Sequence, residues 1–493
     1  VRAADPGRGA AAALAGLLLH ASFPPRALWW TAVVALAVLW TALRGASVRR
    51  AALLGLVFGL AFALPHLVWI DDFLGPRFGP VPWLALSAVV ALFPAAACAL
   101  VPLVAGLPGG PVWAALLLVL SESVRARVPF GGFPWGRLAF GQVEGPFLAL
   151  AAVGGAPLVS FAVAATGFGA AAWALRPAVR RAWPVLPLLA ALVAAPAVGV
   201  AAQDGERVVA LVQGGAPDVG LGLLDERETL RRNHLRATAG LADAVRAGRV
   251  PAPDLVVWPE SATGVGDRDP ALDRAAADVG APVLVGALQR VDGREENAVV
   301  VWDPVTGPGQ RYAKRVLVPF AERVPLRPLA RLVSPFADAA DLRAGDRPGV
   351  LDVAGTRVGV GICFEVAFDA VLRDGAARGA QLLVVPTNNA WYGPGEMSHQ
   401  QLAMARLRAV EHGRAVVVAA TSGVSAVVRP DGAVERSSGL FVEDVLVAAV
   451  PLRSATTVAT GWAGPLEVGL GALAVAACAV GARRVVTRCR ERG

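Results

Sequence analysis

The chain has 493 residues, with 46 Lys and Arg against 38 Asp and Glu, a formal net charge of +8, and 17% charged against 55% hydrophobic residues. A mean hydropathy of +0.55 excludes an ordinary soluble enzyme and calls for membrane spans, in a chain long enough for two or three domains. The positive balance does not indicate a nucleic-acid partner, because the arginines fall in short clusters between apolar runs rather than along one face.

Residues 1–203 form seven apolar segments, at about 10–23, 28–43, 51–70, 81–106, 112–124, 147–175 and 183–203. Several approach the ~20 residues that cross a bilayer, and the first is short enough for a re-entrant segment. The first run leads into further spans rather than a cleavage site, so no cleavable signal peptide is expected. Arg44, Arg49 and Arg50 follow the second segment, and Arg176, Arg180 and Arg181 the sixth. Arg483, Arg484, Arg488, Arg490 and Arg492 follow a last span at 463–482, leaving a 483–493 tail. The positive-inside rule assigns these clusters to the cytoplasm, and the loops at 71–80 and 125–146, together with residues 204–462, to the outer side.

The 204–462 region reads as an α/β domain. Val-rich strands are expected at 207–214, 254–260, 282–289, 297–303, 350–365, 381–387, 415–421 and 440–452, and helices at 225–248, 269–279, 366–379 and 398–413. Strands alternating with helices predict packed sheets covered by helices.

Three residues in this region stand out. Cys363 is its only cysteine, since Cys98 and Cys478 lie in apolar runs and Cys489 in the tail; a lone thiol is a candidate nucleophile. Lys314 is the only lysine among the 46 basic residues. A chain that uses Arg wherever a positive charge suffices retains Lys where a compact ammonium is needed. Glu260 closes Leu255-Val-Val-Trp-Pro-Glu, and Cys363 closes Val358-Gly-Val-Gly-Ile-Cys, at strand ends where α/β folds place reactive groups. A carboxylate in an apolar, lipid-facing site gains affinity for a proton, which makes Glu260 the base for the thiol. Lys314 and the N–H of Phe364 are the expected donors to a tetrahedral oxyanion.

Each has a plainer alternative: Glu260 caps a helix starting at Ser261, Lys314 pairs only with Glu322, and Cys363 is a small buried hydrophobe. Histidine is the rival base, but His234, His399 and His412 all fall in expected helices, with His412 at a helix end before Gly413. No HExxH or CxxC pattern occurs, so neither a metal site nor a cofactor is expected.

Trp258-Pro-Glu-Ser261, the run from Tyr312 through Lys314 and Leu-Val-Pro-Phe to Glu322, Gly361-Ile-Cys-Phe-Glu365 and Thr387-Asn-Asn-Ala-Trp-Tyr-Gly393 resemble the signatures of the apolipoprotein N-acyltransferase family, a membrane-embedded branch of the nitrilase superfamily. The resemblance covers nearly the whole chain. It implies a multi-span α-helical membrane domain followed by an αββα nitrilase-like sandwich and one C-terminal span, in the bacterial cytoplasmic membrane. It implies a ping-pong reaction. Cys363 takes an acyl chain from a membrane phospholipid as a thioester, then passes it to the N-terminal amine of a diacylglyceryl-cysteine lipoprotein. Glu260, Lys314 and Cys363 form the triad, with Glu322, Glu365 and Asn297 in support. The chain departs from the family's usual pattern in having Phe364 where tyrosine often follows the nucleophile, and in lacking a tryptophan in the loop after Gly214.

Leu326, Leu329, Leu332, Val333 and Phe336 alternate with arginines and prolines, which suits a loop at a lipid interface, and Trp391 and Tyr392 suit a mobile cover; ordinary packing explains either equally. The alternative functions are a membrane-tethered amidase or esterase with water as acceptor, and a non-enzymatic transporter or scaffold. Against the latter, acids and bases collect at segment ends.

Overall fold

A computed structural model describes residues 6–175, 185–195, 203–266, 268–332 and 334–490. The expected cytoplasmic residues Arg176, Arg180, Arg181 and Arg492, with Val333 and parts of the 183–203 segment, lie outside the described residues. The described chain divides into two compact units, one of Val1–Val68, Trp83–Pro196 and Gly461–Gly493, the other of Trp69–Pro82 and Ala197–Thr460.

Among the described residues, the α-helices before residue 200 are α1 (Pro6–Ala21), α2 (Trp30–Leu43), α3 (Val48–His66), α4 (Trp69–Phe78), α5 (Val81–Val104), α6 (Gly110–Arg125), α7 (Ala151–Ala174) and α8 (Leu186–Ala194). Among the described residues, four helical stretches are long and apolar enough to cross a membrane: Val48–His66, Val81–Val104, Pro146–Ala174 and Val458–Thr487. Trp30–Leu43 is a shorter apolar helix. Small residues bring the helices close. A Cβ on Gly16 would lie 2.4 Å from Phe58 O, so α1 and α3 touch backbone to backbone there. The expected loop at 71–80 is instead α4, and it packs in the second unit. Trp69 and Phe73 bury their rings on Tyr392 and Trp391, with centroids 4.9 and 5.9 Å apart, which gives an otherwise short helix its anchoring face.

The second unit contains two sheets. One has the strand order β13-β1-β2-β4-β5-β6, with β3 paired to β4, where β1 is Gly205–Gln213, β2 Leu255–Val257, β3 Thr263–Val265, β4 Val283–Val291, β5 Arg294–Asp303, β6 Gly307–Ala313 and β13 Asp444–Leu452. The other runs β12-β11-β10-β9-β8-β7, from β12 (Val434–Ser437) through β11 (Ala426–Val428), β10 (Val416–Ala420), β9 (Leu382–Thr387) and β8 (Thr356–Val360) to β7 (Val350–Val353). Period-two alternation builds the layers. Val209 and Leu211 of β1 enter the core between the sheets with Val358, Leu382 and Val417, while Ala210 and Val212 face the helical side. On that side lie α9 (Arg227–Arg246) and α10 (Pro270–Val279); α12 (Asp369–Ala377) and α13 (Met397–His412) pack on the other sheet. A short α11 (Arg327–Ala330) precedes β7, and α14 (Val458–Arg490) ends the described chain.

This is the expected αββα sandwich, to which β3, β6, β11 and β12 are added beyond the expected strands and in which one expected strand is corrected. The run 350–365 holds two antiparallel strands, β7 and β8, joined at Ala354-Gly355, both in the left-handed region at φ 48° and 74°, and its last three residues begin the tight helical turn Cys363–Ala367. That turn takes a residue pair of low polarity, so it does not interrupt the Val-rich pattern.

Candidate active site

The site sits beyond the carboxyl ends of parallel strands, where α/β sheets expose backbone and side chains together. In one sheet β2 pairs in parallel with β1 and β4, and in the other β9 pairs in parallel with β8 and β10. Glu260 follows β2, Lys314 follows β6, Cys363 follows β8 and Asn388 follows β9. Gly286 lets the Trp-Pro-Glu segment lie directly on β4: a Cβ there would come within 1.9 Å of Pro259 O. Ser261, with φ 52°, then turns the chain into β3, so no helix begins there for Glu260 to cap.

Four of the expected side chains meet. Lys314 Nζ lies 2.8 Å from Glu260 Oε1 and 3.0 Å from Glu322 Oε1. Asn297 Nδ2 donates to the same two oxygens, at 2.7 and 2.9 Å. The second oxygen of Glu260 accepts from Asn388 N at 3.0 Å, and that of Glu322 from Val318 N at 2.8 Å. The surroundings of Glu260 are therefore polar donors, not the apolar lipid-facing pocket expected from sequence, and they fix its carboxylate in one orientation. Lys314 pairs with both acids rather than with Glu322 alone.

Lys314 is 1% exposed. Burial opposes its charge, but Glu260 and Glu322 outweigh burial and raise it well above an ordinary lysine, so it remains an ammonium. Cys363, 6% exposed, takes φ 51° and opens a tight helical turn, Cys363–Ala367. Burial, then the charge of Glu260, pushes its thiol up to about 12, against the lowering influence of Lys314 and Thr387. The resting sulfur is thus a protonated thiol that needs a base when it reacts.

Glu365 does not join the lysine. It is fully buried and accepts from Tyr312 Oη at 3.0 and 2.9 Å, from Arg315 N and Val316 N at 2.8 and 2.9 Å, and from Ile362 N at 2.8 Å. It ties the segment after Lys314 to the turn that carries Cys363. Burial raises its carboxyl, and the backbone donors counter that. The Phe364 ring packs edge-on against Phe368 at 5.0 Å, while its N–H lies at the start of the turn that carries Cys363.

Trp391 and Tyr392 are part-buried, with Phe73 5.4 Å from Tyr392 and Phe336 6.4 Å from Trp391. Burial raises the Tyr392 hydroxyl, with the charges of Cys363 and Glu260 the next causes. Leu326, Leu329 and Leu332 are exposed.

The histidines are occupied elsewhere. His234, buried on α9, bonds Leu230 O through Nδ1 at 2.8 Å, and burial lowers it to about 4. His412 is buried against Thr460, and burial likewise lowers it well below the usual value. His399, on the first turn of α13, is only partly buried. Among the described residues no group of three or more His, Cys, Asp or Glu is arranged to hold a metal.

Sequence reasoning missed Tyr312, Asn388 and Gln401. The signal for Tyr312 was present: the chain has two tyrosines, Tyr312 and Tyr392, and both belong to this region, as the one lysine does. Gln401 Nε2, 3.7 Å from Cys363 Sγ, had no such mark.

Two family descriptions match: apolipoprotein N-acyltransferase N-terminal domain over residues 15–169, and carbon-nitrogen hydrolase over residues 170–460. The chain is 40% identical over 490 residues to a Mycolicibacterium smegmatis protein named apolipoprotein N-acyltransferase, covering 92% of this chain and 81% of that one. One of the same name from Photobacterium profundum is 29% identical, covering 93% and 92%. An amidase from Nesterenkonia sp. of known structure is 20% identical, covering 55% of this chain and 98% of that chain, with a TM-score of 0.40.

Proposed function

The chain belongs to the apolipoprotein N-acyltransferase family, and we propose that it performs this acyl transfer with Glu260 as base, Lys314 as oxyanion partner and Cys363 as nucleophile. The observation that carries the reading is the buried contact of Lys314 with Glu260 and Glu322 beside a thiol held protonated. A thiol that is not already ionised needs a carboxylate within reach, and an ammonium fixed between two acids is available to a new negative charge without reorganising.

In the first half-reaction the Cys363 proton passes to Glu260 and Sγ attacks the ester carbonyl carbon of a phospholipid. The oxyanion is met by Lys314 Nζ and the Phe364 N–H. Collapse breaks the ester C–O bond, Glu260 returns the proton to the departing lysophospholipid oxygen, and a thioester remains. In the second, the N-terminal amine of a diacylglyceryl-cysteine lipoprotein attacks the thioester carbon and Glu260 takes its proton. The C–S bond breaks, and the thiolate recovers the proton. Glu322 and Asn297 orient the lysine and the base, Glu365 holds the nucleophile turn, and Trp391 and Tyr392 cover the sulfur. No cofactor enters either step.

The reading extends to location: a multi-pass protein of the bacterial cytoplasmic membrane, with residues 1–203 as a bundle of about seven spans, 204–462 on the extracytoplasmic side, 463–482 as the last span and 483–493 in the cytoplasm. Four helical stretches of membrane-crossing length and composition support it, as do the arginine clusters. A phospholipid donor suits a thiol in such a chain, because the acyl ester is already concentrated in the bilayer.

Purified enzyme with phospholipid and a diacylglyceryl lipopeptide tests the reading: lysophospholipid should appear in step with N-acylated lipopeptide. Free fatty acid released at the same rate without lipopeptide would instead mark a hydrolase.

A further inference from the structure

Gln401 lies on α13, 1% exposed, with its Nε2 3.7 Å from Cys363 Sγ, a length that suits the large radius of sulfur. We propose that Gln401 is a further catalytic residue. Its amide N–H stabilises the Cys363 thiolate as it forms in the first half-reaction and as it leaves in the second, a role that rests on reading Cys363 as the nucleophile.

Few other donors around the sulfur are free to serve it. Lys314 Nζ already bonds Glu260 Oε1 and Glu322 Oε1, and its remaining capacity is claimed by the carbonyl oxygen. Thr387 also faces the sulfur, but its single hydroxyl proton is shared with two further acceptors, Asn389 Oδ1 at 2.6 Å and Gln401 Oε1 at 3.0 Å. The Gln401 amide has two N–H groups and faces the sulfur with one of them. A negative sulfur buried here, away from water, needs such a donor more than an exposed thiolate would.

The amide is also held in register. At the start of α13, Ser398 Oγ accepts from Asn389 Nδ2 at 3.0 Å. Seven residues beyond Gln401, Arg408 donates from Nε to Val366 O and from a terminal nitrogen to Ala367 O, each at 2.9 Å. These carbonyls belong to the turn opened by Cys363. The helix and the nucleophile turn therefore move as one body, and the donor is in place before the charge appears.

Gln401→Glu is the sharpest variant: it keeps the shape and the acceptor for Thr387 while removing the N–H. Gln401→Met removes donor and acceptor without adding charge. In full-length protein three rates are measured: Cys363 alkylation by iodoacetamide against pH, single-turnover acyl-enzyme formation with phospholipid, and discharge by a diacylglyceryl lipopeptide. Loss of one donor to a charged atom should slow both half-reactions about tenfold or more and move the alkylation profile to higher pH, with Glu worse than Met. Native half-reaction rates and an unshifted profile in Gln401→Glu, with only a lowered melting temperature, would reduce Gln401 to a core residue and overturn the proposal. Cys363→Ala, run alongside, separates the two ideas. If that variant still forms an acyl-enzyme, the nucleophile is wrong; if it forms none while Gln401→Glu behaves as native, only the role of Gln401 falls.

Discussion

Each unit of the molecule buries a cluster of charges, and the two clusters are built differently. In the helical unit, Glu467 of α14 accepts from Ser123 Oγ at 2.6 Å and pairs with Arg127 at 2.6 Å and Arg137 at 3.3 Å. Glu122 accepts from Leu138 N at 2.7 Å, and Arg125 reaches Trp135 O at 2.5 Å. This cluster spends its hydrogen bonds on helix ends and backbone, and joins the last helix to residues more than 300 positions earlier. In the sandwich, Glu260, Glu322, Asn297 and Lys314 converge within 3.0 Å on one another beside a thiol. One ammonium there faces two carboxylates. Burial alone therefore does not mark a site; convergence on a reactive atom does.

Disabling one cluster should stop chemistry and disabling the other should cost stability. Cys363→Ala should abolish acyl-enzyme formation and leave thermal unfolding of the protein unchanged, read by intact mass and by a melt. Lys314→Arg should cost about a thousandfold in transfer rate, because a forked guanidinium cannot replace a compact ammonium between Glu260 and Glu322. Transfer at wild-type rate would remove the lysine from the mechanism.

Glu467→Gln should do the opposite: leave Cys363 alkylation nearly unchanged and destabilise the helical unit by about 3 kcal/mol, since Arg137, 1% exposed, then loses its nearer carboxylate and keeps Glu122 only at 3.8 Å. The pH dependence sharpens the contrast further. With the thiol pushed up to about 12, the thiolate fraction is small near neutrality and grows as pH rises. Alkylation of Cys363 should accordingly climb about tenfold per pH unit from 7.5 to 10 with no plateau, whereas a free thiol levels off above its ordinary value near 8.5. Tyr312→Phe, which removes only the hydroxyl on Glu365, should slow transfer by about tenfold or less and leave the lysine pairs intact.

What the sequence disclosed followed from rarity and period. Lys314 and Cys363 were visible because each is alone of its kind in its region, and Glu260 because a Val-rich strand runs into Trp-Pro-Glu. Tyr312 carried the same rarity. Gln401 did not, since a glutamine on a helix reads as a surface residue until α13 is seen lying against the turn of Cys363. Period could not show the 354–355 turn, where Ala-Gly continues an apolar run, nor that α4 packs its aromatic residues on Trp391 and Tyr392 from more than 300 residues away. Acids and bases were expected at the ends of apolar segments; Glu467 instead lies within α14, held there by Ser123 of α6 and by Arg127 and Arg137 of the segment beyond it.

The most direct test of the central claim is peptide mapping by mass spectrometry of the enzyme incubated with phospholipid and no acceptor. The account predicts one acyl adduct, on Cys363, sensitive to hydroxylamine and discharged when lipopeptide is added. An adduct on another residue, or N-acylated lipopeptide formed with Cys363 never modified, would contradict it.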